Sequence, residues 1–422
     1  MRLEDNLEEL DMSCNTLFGK VPKDWSVSTI GDIAELRQGL QISSKKRLNV
    51  QEDGSIPLLK ITDLPKGIFS EFVKDIPENY IANKDDIIYT RTGQVGLVYT
   101  GVEGCVHNNC FKVIVDYNKF NKNYIYYYLK SRQVKEYANI IASGSVQKDL
   151  THKAFKIVKI GYPKLEEQEK IANILSSLDD KIELNNEMNK TLEEMAQAIF
   201  KRWFVDFEFP NENGEPYKSS GGEMVESERG MIPKGWVEST LNEIAIITMG
   251  VSPKSSSYNV ENIGTPLLNG ASDFNGTIIS PTKYTSEPKK ICKVGDMVFC
   301  IRATIGNLTF TDREYCIGRG VASVTPKEEQ HREFIYFNIN ESIQTLISQA
   351  TGSVFLNLTK DNINDIKIVI PIKEILNKFS EVTVNIINKI QLNNIENEKL
   401  ISLRDTLLPK LMSGEVTVKK IN

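Results

Sequence analysis

The chain says the same thing twice. Val21-Pro22-Lys23-Asp24-Trp25 recurs as Ile232-Pro233-Lys234-Gly235-Trp236, and Ser28-Thr29-Ile30 recurs as Ser239-Thr240-Leu241. Pro57-Leu58-Leu59 answers Pro266-Leu267-Leu268, and Asp86-Ile87-Ile88-Tyr89 answers Asp296-Met297-Val298-Phe299. Ala142-Ser143-Gly144-Ser145-Val146 answers Ala350-Thr351-Gly352-Ser353-Val354, each followed by Leu-Thr (Leu150-Thr151, Leu358-Thr359). The offset drifts only from about 211 to about 208. One unit written twice must close two similar cores, and it implies a pseudo-two-fold molecule.

At 422 residues there is room for two or three such cores. No apolar run approaches a membrane span, and the acidic start (Glu4, Asp5, Glu8, Glu9) is unlike a signal peptide, so the expected compartment is the cytoplasm. Six cysteines in a chain of this size suggest reduced thiols. Cys105, His107 and Cys110 are close, but their spacing is loose and the second copy keeps only Cys316, so no metal site is expected. A two-fold partner suits a two-fold molecule, and duplex DNA leads the candidates. The net charge of −5 argues the other way, since phosphate binding favours a basic surface. The acids, however, concentrate in helical stretches (Glu166, Glu167, Glu169, Asp179, Asp180, Glu183), whereas Lys45, Lys46, Arg47, Lys289 and Lys290 lie in the repeated parts. Segregated charge leaves a locally positive face on an acidic protein.

Each copy reads as short β-like runs broken by Gly, Asn, Asp and Pro: Ile56–Ile61, Asp86–Tyr89, Gly96–Tyr99 and Phe111–Val115, then Met297–Arg302 and Val321–Val324. A helical stretch follows near Tyr124–Ile141 and again near Arg332–Ala350. A last β-like run ends at Pro163 and at Pro371. Each copy is thus expected to be an α+β domain of about 140 residues.

Beyond each proline lies a long helix. Ile171, Leu175, Leu178, Ile182, Asn185, Asn189, Leu192, Ala196 and Ile199 keep a 4-3 spacing, a heptad seam. The matching series, Phe379 to Leu407, has Thr383 and Arg404 in apolar slots but repeats the asparagine pair as Asn393 and Asn397. Buried asparagine fixes register, because slippage leaves its amide unsatisfied. An antiparallel pairing sets Asn185 on Asn397, Asn189 on Asn393 and Trp203 near Phe379, with Leu178 accepting Arg404. A helix of about 40 residues spans roughly 60 Å, enough to hold two reading heads apart. The alternative is that each helix packs only on its own domain. The resulting division is a globular domain with an N-terminal arm at 1–163, a long helix at 164–207 and a surface linker at 208–231, then a second globular domain at 232–371 and a second long helix with the C-terminal tail at 372–422.

Catalytic signatures are missing. There is no Gly-x-x-x-x-Gly-Lys-Ser/Thr phosphate loop, and Gly318-Arg319-Gly320 is half a dinucleotide fingerprint, read as a tight turn. His107, His152 and His331 fall at unmatched positions of the repeat, and no Asp…Glu-x-Lys set recurs. A binding protein is expected.

The paired Pro-Lys-x-Trp openings, the Gly-Ser-x-x-x-x-Leu-Thr segments, Pro163-x-x-x-x-Gln168-x-Lys170-Ile171 and the ending Leu407-Leu408-Pro409-Lys410-Leu411-Met412-Ser413-Gly414-Glu415-Val416 together resemble the specificity subunit of type I restriction–modification systems along the whole chain. The second helix start departs from the pattern, since Pro371-Ile372-Lys373-Glu374 lacks the glutamine. The resemblance implies two pseudo-two-fold-related target-recognition domains separated by two long antiparallel coiled-coil helices. It further implies a non-catalytic subunit in which each domain reads half of a split DNA target while the helices set the gap. Two methyltransferase subunits modifying adenine N6, and two ATP-driven restriction subunits, would be its partners; S-adenosylmethionine, ATP and Mg would belong to them, and no cofactor to this chain.

Half-site readout calls for Arg, Lys, Asn and Gln on loops. The first domain offers Lys45, Lys46, Arg47, Lys60, Arg91, Gln94, Gln147 and Lys148. The second offers Lys254, Asn269, Arg302, Arg319, Asn357 and Lys360. Lys60 and Asn269, and Arg91 and Arg302, occupy near-equivalent places, as suits two domains reading different sequences into an asymmetric target. Loss of Arg91 is expected to weaken the first half-site. A coiled-coil scaffold with two heads for ligands other than DNA is the alternative, separable by the salt dependence of DNA binding.

Overall fold

A computed structural model describes residues 15–144, 147–228, 230–350 and 356–418. Glu4, Asp5, Glu8 and Glu9 lie outside the described residues, as do Ser145, Val146 and Thr351 to Val354 of the repeated Gly-Ser segments. The chain divides into unit 1, Met1–Leu184 with Asn397–Asn422, and unit 2, Asn185–Glu396.

Unit 1 holds an antiparallel sheet in the order Ala34–Gln38, Cys110–Val115, Ile87–Thr90, Val98–Tyr99. Its second sheet runs Phe72–Val73, Ile56–Leu59, Gly104–Val106, Ile81–Ala82, with Leu58 beside Cys105 in a parallel pair. Unit 2 repeats both. Ala245–Met249, Val321–Pro326, Met297–Cys300 and Gly306–Phe310 form the first sheet, and Leu267 pairs with Cys316 in the parallel step of the second. In both units the strand matching the Ile-Ile-Tyr or Val-Phe-Cys run is buried at every position, so these strands read as unbroken apolar runs.

The helical stretch of unit 1 is two helices, Lys122–Lys130 and Arg132–Ile141. Ser131 divides them: its hydroxyl donates to the Tyr128 carbonyl at 2.6 Å and accepts from the Val134 amide, ending one helix and capping the next. Unit 2 has one uninterrupted helix there, Arg332–Gln349. The first long helix is Leu165–Phe200, continued by a wider turn at Lys201–Val205, and the second is Lys373–Met412 with Pro409 inside it. Gln168 is fully buried, donating to the Pro163 and Lys119 carbonyls and accepting from the Asn121 amide. At the same step of the second helix stands buried Leu376, so an apolar contact replaces the amide staple.

Each unit's core takes in segments of both long helices. Ile171, Ala172 and Leu175 share the unit 1 core with Leu408, Leu411 and Met412, and Arg404 Nη1 meets Asp179 Oδ1 at 2.6 Å. Asp179, one residue beyond the expected Leu178, receives this arginine, which spares the apolar seam a charge. In unit 2, Asn393 Nδ2 donates to Asn189 Oδ1 at 2.7 Å, and the Trp203 and Phe379 rings lie 5.8 Å apart. Numbers fall on one segment as they rise on the other, so the pairing within unit 2 is antiparallel. Asn185 donates to Glu396 at 2.8 Å, and Asn397 is buried.

The stretch between the copies is more than a surface loop. Met224–Ser227 pairs with Gly230–Pro233, and Phe209 stacks on Trp236 and Tyr217. Its aromatics outweigh its Gly, Pro and Ser and dock it on unit 2. Among the described residues no helix is long and apolar enough to cross a membrane, and no three His, Cys, Asp or Glu cluster to hold a metal. Cys105 and Cys110 are buried thiols, pushed up to about 11 and about 12 by burial.

Candidate nucleic-acid interface

In unit 2, three of the sequence-predicted residues meet. Asn269, Arg302 and Arg319 line one open cavity of about 350 Å³, together with Ser252, Gly270 and Gly320. Asn269 follows the parallel strand Thr265–Leu268, Arg302 follows Met297–Cys300, and Arg319 follows Tyr315–Ile317. The cavity thus sits where three strands of the two sheets end together, the usual place for loops to present side chains on a rigid base. Buried Asp273 fixes the Asn269 turn by accepting from the Asn269 amide at 2.7 Å and the Gly270 amide at 3.1 Å. Gly318 and Gly320 are required for the close approach, since a Cβ on either would lie 2.3 Å from an Asn269 oxygen. Ser252 Oγ donates to Asn269 Oδ1 at 3.1 Å and accepts from the Arg319 amide at 3.2 Å. Among the described residues neither Arg302 nor Arg319 has a carboxylate within ion-pair distance, and both are exposed.

Unit 1 uses the same scaffold differently. Arg91 is half-buried: Nη2 meets Asp149 Oδ2 at 2.8 Å, Nε donates to the Leu150 carbonyl, and the guanidinium lies over the Phe111 ring. Lys60 is held by Ser70 at 2.8 Å, Glu71 at 3.2 Å and Asp63 at 3.5 Å. Arg47 donates to the Ile42 carbonyl and to Glu71 at 3.0 Å. Burial raises Glu71, but Lys60 and Arg47 more than offset this and leave it below the usual carboxylate range. Burial lowers His107, and Arg47 and Lys60 push it the same way while Glu71 opposes them. Arg47, Lys60 and Arg91 are thus each held by structural partners inside unit 1.

The remaining candidates are scattered. Lys45 and Lys46 are exposed on the short turn Ser44–Lys46, and Lys46 lines a cavity of about 640 Å³ with Gln41, Lys74 and Asp75. Gln94 and Gln147 are exposed, and Lys148 donates to the Asn139 carbonyl at 2.7 Å. Lys254 and Lys360 are exposed, while Asn357 bridges the backbone of Arg302. Sequence reasoning missed Ser252 and Asp273. An Asn-Gly pair with an aspartate a few residues on signals a side-chain-locked turn and would have found Asp273; Ser252 carries no local signal.

The geometry matches known relatives. The family model for the type I restriction modification DNA specificity domain matches residues 22–194 and 233–402, most of the chain, in two copies. The type I restriction enzyme MjaIX specificity subunit of Methanocaldococcus jannaschii is 28% identical over 444 residues, which span 100% of this chain and 98% of that protein. The HindI specificity subunit of Haemophilus influenzae is 27% identical, covering 93% of this chain and all of its own. The crystal structure of a type I restriction–modification S subunit from M. genitalium superposes with a TM-score of 0.57 at 18% identity, over 94% of this chain and 98% of that one, which shows a shared fold. Duplicated domains, paired long helices and full-length similarity agree: the chain belongs to the specificity subunits of type I restriction–modification systems.

Proposed function

We propose that each globular region reads one half of an asymmetric bipartite DNA target, that the long helices set the unread gap, and that the chain makes or breaks no covalent bond itself. The helices dock two adenine-N6 methyltransferase subunits, which bring S-adenosylmethionine, and two ATP- and Mg-dependent restriction subunits complete the complex. The carrying observation is one sheet scaffold built twice with different polar side chains at the same strand ends: Arg302, Arg319 and Asn269 in one copy, Thr92, Asn108 and Lys60 in the other. A shared backbone supports a common docking geometry, and divergent side chains support two different half-sites. Lys45, Lys46, Gln94, Gln147 and Lys148 in unit 1, and Lys254, Asn357 and Lys360 in unit 2, are the surrounding phosphate and base contacts in this reading. Arg47, Lys60 and Arg91 position the loops.

The test is adenine methylation in cells with and without this chain. The expected result is a two-part motif with a fixed unread gap that disappears when the chain is deleted. A methylation pattern indifferent to the deletion overturns the reading. DNA affinity of the purified methyltransferase complex should also fall steeply with salt; a flat salt response favours the scaffold alternative.

A further inference from the structure

The unit 2 cavity presents donors and almost no free acceptors. Its two side-chain acceptors satisfy each other and the backbone: Ser252 Oγ donates to Asn269 Oδ1 and accepts from the Arg319 amide. Among the described residues no carboxylate lines it. Arg302, Arg319 and Asn269 line it and are exposed, and their guanidinium groups and the Asn269 side-chain nitrogen are donors. Gly270 and Gly320 leave the floor without side chains, giving room for a flat edge.

Of the four bases, only guanine shows two adjacent major-groove acceptors, O6 and N7, with no donor between them. Cytosine and adenine each present an amino donor, for which this lining has no carboxylate and only the Asn269 Oδ1, already accepting from Ser252, and thymine presents one acceptor beside a methyl. On this basis we infer that unit 2 reads a guanine in its half-site through Arg302 and Arg319, with Asn269 as the third donor. Unit 1 carries Thr92 and Asn108 at the matching places and has Arg91 bound to Asp149, so its half-site is read by other chemistry. This inference rests on the bipartite reading above and adds the identity of one base.

The experiment uses the full complex of this chain with its methyltransferase subunits and S-adenosylmethionine on a randomised duplex pool, with methylated adenines sequenced. The wild-type complex is compared with Arg302→Ala and Arg319→Ala. A required G·C pair in one half-site should lose discrimination by roughly 5- to 150-fold. The other half-site, read by the same molecules, should stay intact and so reports correct folding. Replacing that guanine by 7-deazaguanine in the wild-type target should give a loss of similar size. A half-site without a required guanine in the part altered by these variants overturns the inference while leaving bipartite reading in place. Uniform weakening across all sequences, with a shallower salt slope, also overturns it, because that is the signature of phosphate contacts. If the wild-type pool yields no two-part motif, the bipartite reading falls and this inference with it.

Discussion

Arg91 and Arg302 stand one residue apart on the same turn of two copies of one scaffold, and their side chains do opposite things. The backbone gives the alignment. Leu150 donates to the Arg91 carbonyl, and Leu358 donates to the Ile301 carbonyl, so Arg91 corresponds to buried Ile301. Thr92 bridges Asp149 as Arg302 bridges Asn357, so Arg302 corresponds to Thr92. Neighbouring residues on extended backbone point to opposite faces. The inward place takes a charge only with an acid to meet it: inward Arg91 has the Asp149 carboxylate at 2.8 Å, whereas the outward Arg302 lies across the bridge from neutral Asn357. The pattern repeats across the second sheet, where Glu71, facing Leu58, holds Lys60 and Arg47, and Lys283 faces Leu267 in the other copy. Duplication keeps the backbone hydrogen bonds and lets the charges change sides.

That contrast sets the largest expected effect. Arg91→Ala leaves Asp149 only the Thr92 hydroxyl and water and removes hydrogen bonds to a charged group, and should cost unit 1 about 1.5–3 kcal/mol. Amide exchange along Cys110–Val115, which lies under the guanidinium, should speed up accordingly. Arg302→Ala removes an exposed side chain that meets no carboxylate among the described residues and should stay within about 0.5 kcal/mol of wild type. Chemical denaturation with exchange read-out separates them; equal losses would refute the division into pinned and displayed arginines. Loss of half-site binding by Arg91→Ala is then expected to follow the loss of fold.

The same contrast explains what the sequence could reveal. Apolar runs and turn residues set out both sheets, because burial on two faces leaves little freedom at Ile87–Thr90 or Met297–Cys300. Heptad spacing revealed the long helices, since a seam's period survives poor residues such as Thr383. Ser131 hid the helix break, because a cap inside a helical pattern looks like one more polar position. The site was half legible. Asn269, Arg302 and Arg319 are far apart in sequence and only the strand order brings them to one cavity. Arg91 looked equivalent to Arg302 because the repeat fixes position to within a residue, and one residue decides inside from outside.

A middle-sized effect separates the helix contacts of the two units. Unit 1 relies on a charged pair, Asp179 with Arg404 and with Lys130 at 3.2 Å, and unit 2 on the neutral pair Asn189 and Asn393. Burial raises the Asp179 carboxyl, but the Arg404 hydrogen bond and the charges of Lys130 and Arg404 bring it below its usual value of 3.8. A carboxyl lowered on folding stabilises fully above the unfolded value and loses that contribution as pH falls through the folded one. Exchange in 397–412 should therefore accelerate below about pH 4 before exchange in 385–396 does. In unit 2, Asn393→Leu alone leaves the Asn189 oxygen without its donor and should cost about 1–2 kcal/mol, whereas Asn189→Leu with Asn393→Leu should recover this or exceed wild type. A double variant no better than the single one would show that the amides are not a coupled pair.

The smallest effect lies beside Arg302. Ala303 has φ +62°, where Gly93 in the other copy has φ +79°. A left-handed conformation costs an alanine about 1–2 kcal/mol, and a glycine there gives back about 0.5–1 kcal/mol in entropy. Ala303→Gly should accordingly stabilise unit 2 by less than about 1 kcal/mol. Gly93→Ala should destabilise unit 1 by about 1 kcal/mol or more, because its Cβ would also press on Ile61 Cδ1 at 3.2 Å. Strain of this kind persists where the surroundings hold a residue in place, and here it holds the backbone that carries Arg302. Relaxing it should therefore lower selectivity at the unit 2 half-site slightly while raising the melting temperature. A variant that is more stable and equally selective would separate the strain from the reading of the base, leaving Ala303 as an unoptimised turn.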